Sequence, residues 1–77
     1  MEVIETLQAL RPALRQRLLR HFRRIQEFPS ARSDYREKDS TGRILHVSVV
    51  EKFAVFYWED FADRHVKIMS LKPADRT

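Results

Sequence analysis

The segment 42–71 constrains the fold most strongly, because it contains three short runs that are dense in β-branched and aromatic residues. The runs cover about residues 43–50, 53–59 and 65–71, and two charged breaks separate them. Such residues suit a pleated, half-buried surface, so the segment predicts three consecutive antiparallel strands. The middle run is apolar on both faces, which is typical of a strand in the interior of a sheet.

The residues before this segment predict helices. Three apolar residues near the start have helical spacing: Ile4, Leu7 and Leu10. Pro12 favours a break near residues 10–11 and a second helix that begins at the proline, with a single kinked helix as the alternative. Pro29 should end this helix, because the residue before a proline is disfavoured in helical conformation. Its apolar stripe consists of Leu14, Leu18, Phe22 and Ile25, with Leu19 at the edge.

Together these patterns predict one α+β domain over residues 1–77. An N-terminal helical hairpin, or a kinked helix, packs on one face of a 3–4-stranded antiparallel meander sheet. Segment 31–38 is either a loop or a charged edge strand, and segment 39–42 is a turn. If the side chains alternate as the pattern indicates, the face without helices carries His46, Phe56, Trp58, Lys67 and Met69.

Composition excludes several classes of function. The chain has no cysteine and one glycine, so disulfides, thiolate metal sites and the common glycine-rich phosphate loops are excluded. Three histidines fall on three different elements without metal-ligand spacing, and we therefore expect neither a metal nor another cofactor. No apolar run approaches the roughly 18–20 residues of a membrane span. A cytoplasmic protein without membrane contact is the resulting expectation.

Positive charge is concentrated in the second predicted helix. Segment 11–24 contains six arginines and no acidic residue, so it carries +6, and the rest of the chain carries −2 to give the net +4. Four of these arginines are predicted to face solvent opposite the apolar stripe: Arg17, Arg20, Arg23 and Arg24. The arginine face is expected to track phosphates, to bind an acidic protein, or to be an ordinary solvated surface.

The order of elements resembles that of the RelE/ParE toxin superfamily, small α+β proteins of toxin–antitoxin systems. The segments that carry the resemblance are the helix ending at Phe28-Pro29 and the patterns RILHV (43–47), FAVFYWED (53–60) and VKIMSL (66–71). The resemblance covers roughly residues 7–76 and depends on this rhythm, not on a signature motif.

Membership would imply a toxin that acts on mRNA at the ribosome or on DNA gyrase, with an acidic antitoxin as partner. Members usually begin with a strand, whereas this sequence starts within the predicted helix, so that strand is either absent or lies upstream of the start. The sequence also has alanine at position 54, where many members carry an arginine, and it has no tyrosine near the end, where several RNA-cleaving members place one. The departures favour a catalytically degenerate member. The alternative function is a non-catalytic module that binds nucleic acid or protein, and the sequence does not decide between a monomer and a homodimer.

A metal-independent ribonuclease would need groups that move protons and stabilise the phosphorane. The catalytic candidates that the resemblance suggests are His46, Lys67, Lys72 and Arg76. Arg43 is the candidate phosphate clamp, and Trp58 is a candidate base-stacking or partner-binding residue. No candidate has a partner at a recognisable spacing, so whether the protein is an enzyme stays open.

Overall fold

The computed structural model describes residues 2–74 and contains, within them, two helices followed by four strands. In chain order they are α1 (Glu2–Gln8), α2 (Pro12–Glu27), β1 (Tyr35–Lys38), β2 (Ile44–Val50), β3 (Phe53–Asp60) and β4 (His65–Pro73). Each strand pairs antiparallel with the next, so the sheet is a meander in the order β1-β2-β3-β4. The predicted α+β class is confirmed, and segment 31–38 supplies the edge strand β1.

The helices are separate, as the hairpin interpretation predicted. α1 ends at Gln8, and Pro12 is the first residue of α2. Proline is tolerated at this position because the first backbone N–H groups of a helix have no hydrogen-bond partner within the helix. α2 ends at Glu27, one residue before Phe28, whose φ of −138° is extended. The proline at position 29 explains this end, because it disfavours the helical region for the residue that precedes it.

The core lies between the helices and one face of the sheet. Leu18 and Ile25 of α2 are fully buried, as are Val55 and Tyr57 of β3. Leu7 of α1 and Leu71 of β4 complete the cluster. The predicted apolar stripe of α2 is therefore the surface that packs on the sheet.

The predicted placement of His46 on the face without helices is wrong. His46 lies opposite Tyr57 in the β2–β3 register, and the two rings stack with their centroids 5.2 Å apart on the helix side. The cause is the two-residue turn between β2 and β3, which pairs Val50 with Phe53. Even-numbered residues of β2 therefore share a face with odd-numbered residues of β3. Both faces of β2 are partly apolar, so its own pattern does not reveal which face meets the helices.

Unlike His46, other residues predicted for the face without helices do lie there. Phe56 lies opposite Val47, and Trp58 lies opposite Lys67, all on the side of the sheet that α1 and α2 leave uncovered. We call this side the open face. Met69 falls at a β-bulge, where Phe56 pairs with Ser70 and Tyr57 with Ile68, so Met69 has no register partner.

The turn between β2 and β3 stores backbone strain. Glu51 and Lys52 both have positive φ, 52° and 68°, as in the type I′ turn that suits a two-residue hairpin. Residues other than glycine, asparagine and aspartate are unfavourable in this left-handed region of backbone conformation. The turn has the predicted length without the usual turn residues.

Replacing Lys52 by glycine is therefore expected to raise the free energy of unfolding by about 0.5–1 kcal/mol, because glycine removes the left-handed strain. Urea unfolding followed by circular dichroism measures the change. Lys38→Gly is the matched control, since Lys38 lies in β1 and a glycine there should destabilise. A destabilised Lys52→Gly variant would contradict the role assigned to this turn.

Candidate nucleic-acid interface

The outer side of α2 is a surface of exposed arginines. Arg17, Arg20, Arg23 and Arg24 are all exposed, as the helical periodicity predicted. Among the described residues, α2 makes one ion pair, between Arg17 Nη1 and Glu51 Oε1 at 3.5 Å. Both side chains are open to water, at 57% and 35% exposure, so the pair contributes little. We call these four arginines the arginine face, and its charge is almost uncompensated within residues 2–74.

Three members of the arginine face converge on one depression. Arg17, Arg20 and Arg24 are spaced i, i+3 and i+7, which places them in one row about 10 Å long on the helix. They line a depression of about 290 Å³ with His21 of α2 and with Glu51 of the β2–β3 turn. Arg23 lies outside this lining. The arrangement presents several guanidinium groups to one anionic ligand, and guanidinium groups bind phosphate oxygens in bidentate geometry.

His21 anchors α2 on the sheet beneath this row. Its Nε2 lies 2.7 Å from the Ser48 hydroxyl of β2, and both residues are at least partly buried. Burial lowers the pKa of His21, and the positive charges of Arg32 and Arg24 lower it further. The imidazole is therefore neutral at pH 7, and its contact with Ser48 helps to hold the helix on the sheet.

On the open face, Trp58 is covered by two cations. The Arg43 guanidinium carbon lies 4.2 Å from the centroid of the indole ring, and Lys67 Nζ lies 5.8 Å from it. The indole N–H is buried and finds no acceptor among the described residues. The structure brings the predicted binding residues Arg43 and Trp58 together, but a base could stack on Trp58 only after Arg43 had moved.

The lysines on the open face have different surroundings. Lys67 Nζ lies 2.8 Å from Asp60 Oδ2 and 3.1 Å from Asp63 Oδ2. The Asp60 carboxylate raises the pKa of Lys67, and the same contact lowers the pKa of Asp60. Lys67 therefore stays protonated, with its charge balanced by the two carboxylates, and it is poorly suited to donate a proton. Lys72 Nζ lies 5.4 Å from the centroid of the Phe56 ring, whereas Arg76 lies outside the described residues.

His46 has a partner that sequence reasoning missed. Its Nε2 lies 3.3 Å from Glu59 Oε2, and the two side chains are 13% and 25% exposed. Nδ1 of His46 is buried without a hydrogen-bond partner in residues 2–74. Tyr57 packs beside the pair and donates a 2.5 Å hydrogen bond to the Pro29 carbonyl, and burial raises the pKa of Tyr57 to about 12. The two-residue turn could have pointed to Glu59, since it places His46 opposite Tyr57 and diagonal to Glu59.

The catalytic candidates do not form one site. His46 lies on the helix side of the sheet, while Lys67 and Lys72 lie on the open face. Within residues 2–74, no cluster of histidine, aspartate or glutamate side chains could hold a metal ion. No helix in the same range is long and apolar enough to cross a membrane.

A comparison with protein families, curated proteins and solved structures finds no match for this chain. The resemblance to the RelE/ParE superfamily therefore stays a prediction that depends on the order of the elements.

Proposed function

We propose that the protein is a non-catalytic binding module whose arginine face holds the phosphate backbone of a nucleic acid. The observation that carries the proposal is the row of exposed arginines on α2, of which one alone contacts a carboxylate within the described residues. Like charges in one row repel one another, and a polyanion removes that repulsion when it binds.

The open face is the weaker candidate for the same role. Lys67 forms ion pairs with two carboxylates, and the Arg43 guanidinium stacks on the Trp58 ring. Fewer unpaired cations are therefore presented on this side than on α2. Buried contacts of Leu18, Ile25 and His21 also fix the backbone of α2 on the sheet, so the arginines are already aligned along one side before a ligand binds.

A salt titration tests the proposal. If four arginines each contact a phosphate, the slope of log K against log[salt] is expected to be about −3 for single strands and about −3.6 for duplex DNA. Raising the salt concentration from about 50 to 200 mM should then weaken binding by about 50- to 150-fold. Fluorescence anisotropy with a labelled oligonucleotide measures this slope. A slope shallower than about −1 would show that the contacts are mainly apolar and would contradict the proposal.

A ribonuclease of the RelE/ParE type is the second candidate function, and the contact between His46 and Glu59 favours it. A carboxylate that orients an imidazole is a frequent arrangement in general acid–base catalysis. Arg36 lines the depression beside His46 and would supply a cation for a phosphate there, although the Asp34 carboxylate lines the same depression. Cleavage of RNA that is lost in His46→Gln distinguishes this candidate from the binding module, which binds RNA and leaves it intact.

The other roles that the resemblance implies are proposals, like the ribonuclease. They include action at the ribosome or on gyrase, and pairing with an acidic antitoxin-like partner in the cytoplasm. An acidic protein partner would use the same arginine face, but the salt titration with an oligonucleotide would then show weak binding at every salt concentration.

A further inference from the structure

The open face contains a groove that neither α1 nor α2 covers, although Lys72 lies over the Phe56 ring at one side of it. Ala54 of β3 lies at its floor and is buried. Tyr35 of β1 and Val49 of β2 stand at the side, and 47% and 45% of their surfaces are exposed. Phe56 of β3 completes this apolar surface. We call the depression the open groove, and its volume is about 490 Å³.

The groove occupies one end of the open face. At the other end, Arg43 and Lys67 lie over Trp58 and shield it. Tyr35 lies at the start of the outer strand β1, and Val49 lies diagonal to it on β2; neither residue has a comparable cover. Contiguous exposed apolar surface of this kind on a small protein marks an interaction site.

The charges at the margins of the groove suit a second copy of the chain. Glu37 on β1 and Lys72 on β4 both line it, and they belong to the two outer strands of the sheet. Neither forms an ion pair with another described residue. In a face-to-face dimer whose two-fold axis runs parallel to the strands, each margin meets the opposite margin of the copy, so the acid on one margin meets the base on the other. One negative and one positive margin are therefore self-complementary.

We propose that a second copy of this chain covers the open groove, in a two-fold dimer in which Glu37 of one protomer pairs with Lys72 of its partner. The two sheets then pack face to face, with Val49, Phe56 and Tyr35 between them. The helices lie on the outside, so the two arginine faces point away from each other. This last consequence rests on the proposed function and implies that one dimer bridges two nucleic-acid segments.

Sedimentation equilibrium of the full chain tests the dimer. From about 2 to 200 µM, the mass should rise from that of the 9.3 kDa monomer towards twice that value. Val49→Lys should raise the dissociation constant about 100-fold, because it brings two lysines into an apolar contact. Ile44→Lys is the matched control, since Ile44 lies on the same strand with the same 45% exposure but on the other face. It should dimerise like the wild type.

A charge exchange tests the pairing without disturbing the apolar surface. Glu37→Lys and Lys72→Glu should each weaken the dimer, and the double variant should restore it, since the pair is then reversed. A wild-type chain that stays monomeric throughout overturns the proposal, as does a Val49→Lys variant that dimerises like Ile44→Lys. Failure of the double variant to restore the dimer overturns the pairing. Val49→Lys should still bind the oligonucleotide as a monomer. A failure of dimerisation is then distinguished from a failure of the function proposed for the arginine face.

Discussion

Leu18→Ala is expected to lower the free energy of unfolding by about 2–5 kcal/mol, because it removes a fully buried side chain and leaves a cavity. Leu18 is 0% exposed and lies in the cluster that joins α2 to Val55 and Tyr57 of the sheet. α2 touches the sheet along one stripe only, so the loss falls on the contact that holds the arginine face in place.

The effect is large relative to the whole protein. A domain of 77 residues is expected to be stable by about 4–11 kcal/mol, so this single substitution removes a substantial part of that free energy. Thermal and urea unfolding followed by circular dichroism measure the change. A variant that is partly unfolded at 25 °C lies within the expected range.

Leu19→Ala is the control, because Leu19 is the same residue type at the next position and is 44% exposed. Its free energy of unfolding should change by no more than about 0.5–1 kcal/mol. Equal losses in the two variants would show that the inward side of α2 has been assigned wrongly.

The double substitution Arg20→Glu/Arg24→Glu is expected to weaken nucleic-acid binding by about 100-fold at low salt. Both side chains line the depression on the arginine face, and replacement by glutamate turns two phosphate contacts into repulsion. The salt slope should also become shallower by about 2, one for each lost contact. Anisotropy titrations at several salt concentrations give both quantities.

A control with the same change of net charge separates this site from general electrostatics. Lys38→Glu/Arg64→Glu also lowers the net charge by four units, but at exposed positions on the edge strand β1 and in the turn between β3 and β4. It should weaken binding by less than about tenfold, because long-range charge effects are screened beyond about 10 Å at 0.1 M salt. Equal losses in the two double variants would show that binding follows net charge and would remove α2 as the interface.

The helices and strands could be predicted from the sequence because their signals are local. Pro12 and Pro29 restrict the backbone of adjacent residues, and both lie at ends of α2 as predicted. The three strand patterns correspond to β2, β3 and β4, and the last of these strands ends at Pro73. The short strand β1 was one of two alternatives, since its polar sequence suits a loop equally well.

The arginine face was predictable for the same reason. Helical periodicity alone places Arg17, Arg20, Arg23 and Arg24 opposite the apolar stripe. Their near lack of carboxylate partners was not predictable, because it depends on which strands approach α2. The contact between Arg17 and Glu51 joins residues 34 positions apart.

The type and order of the elements, the ends of α2 and the side that carries its charge thus follow from interactions between residues a few positions apart along the chain. The face of the sheet on which each strand residue lies does not follow from such local interactions. His46 meets Glu59 on the helix side, while Lys67 and Lys72 lie on the open face, so three catalytic candidates are divided between two surfaces. Strand register and the choice of the covered face decide this division. Both depend on a turn conformation and on helix packing, which involve residues distant in the chain.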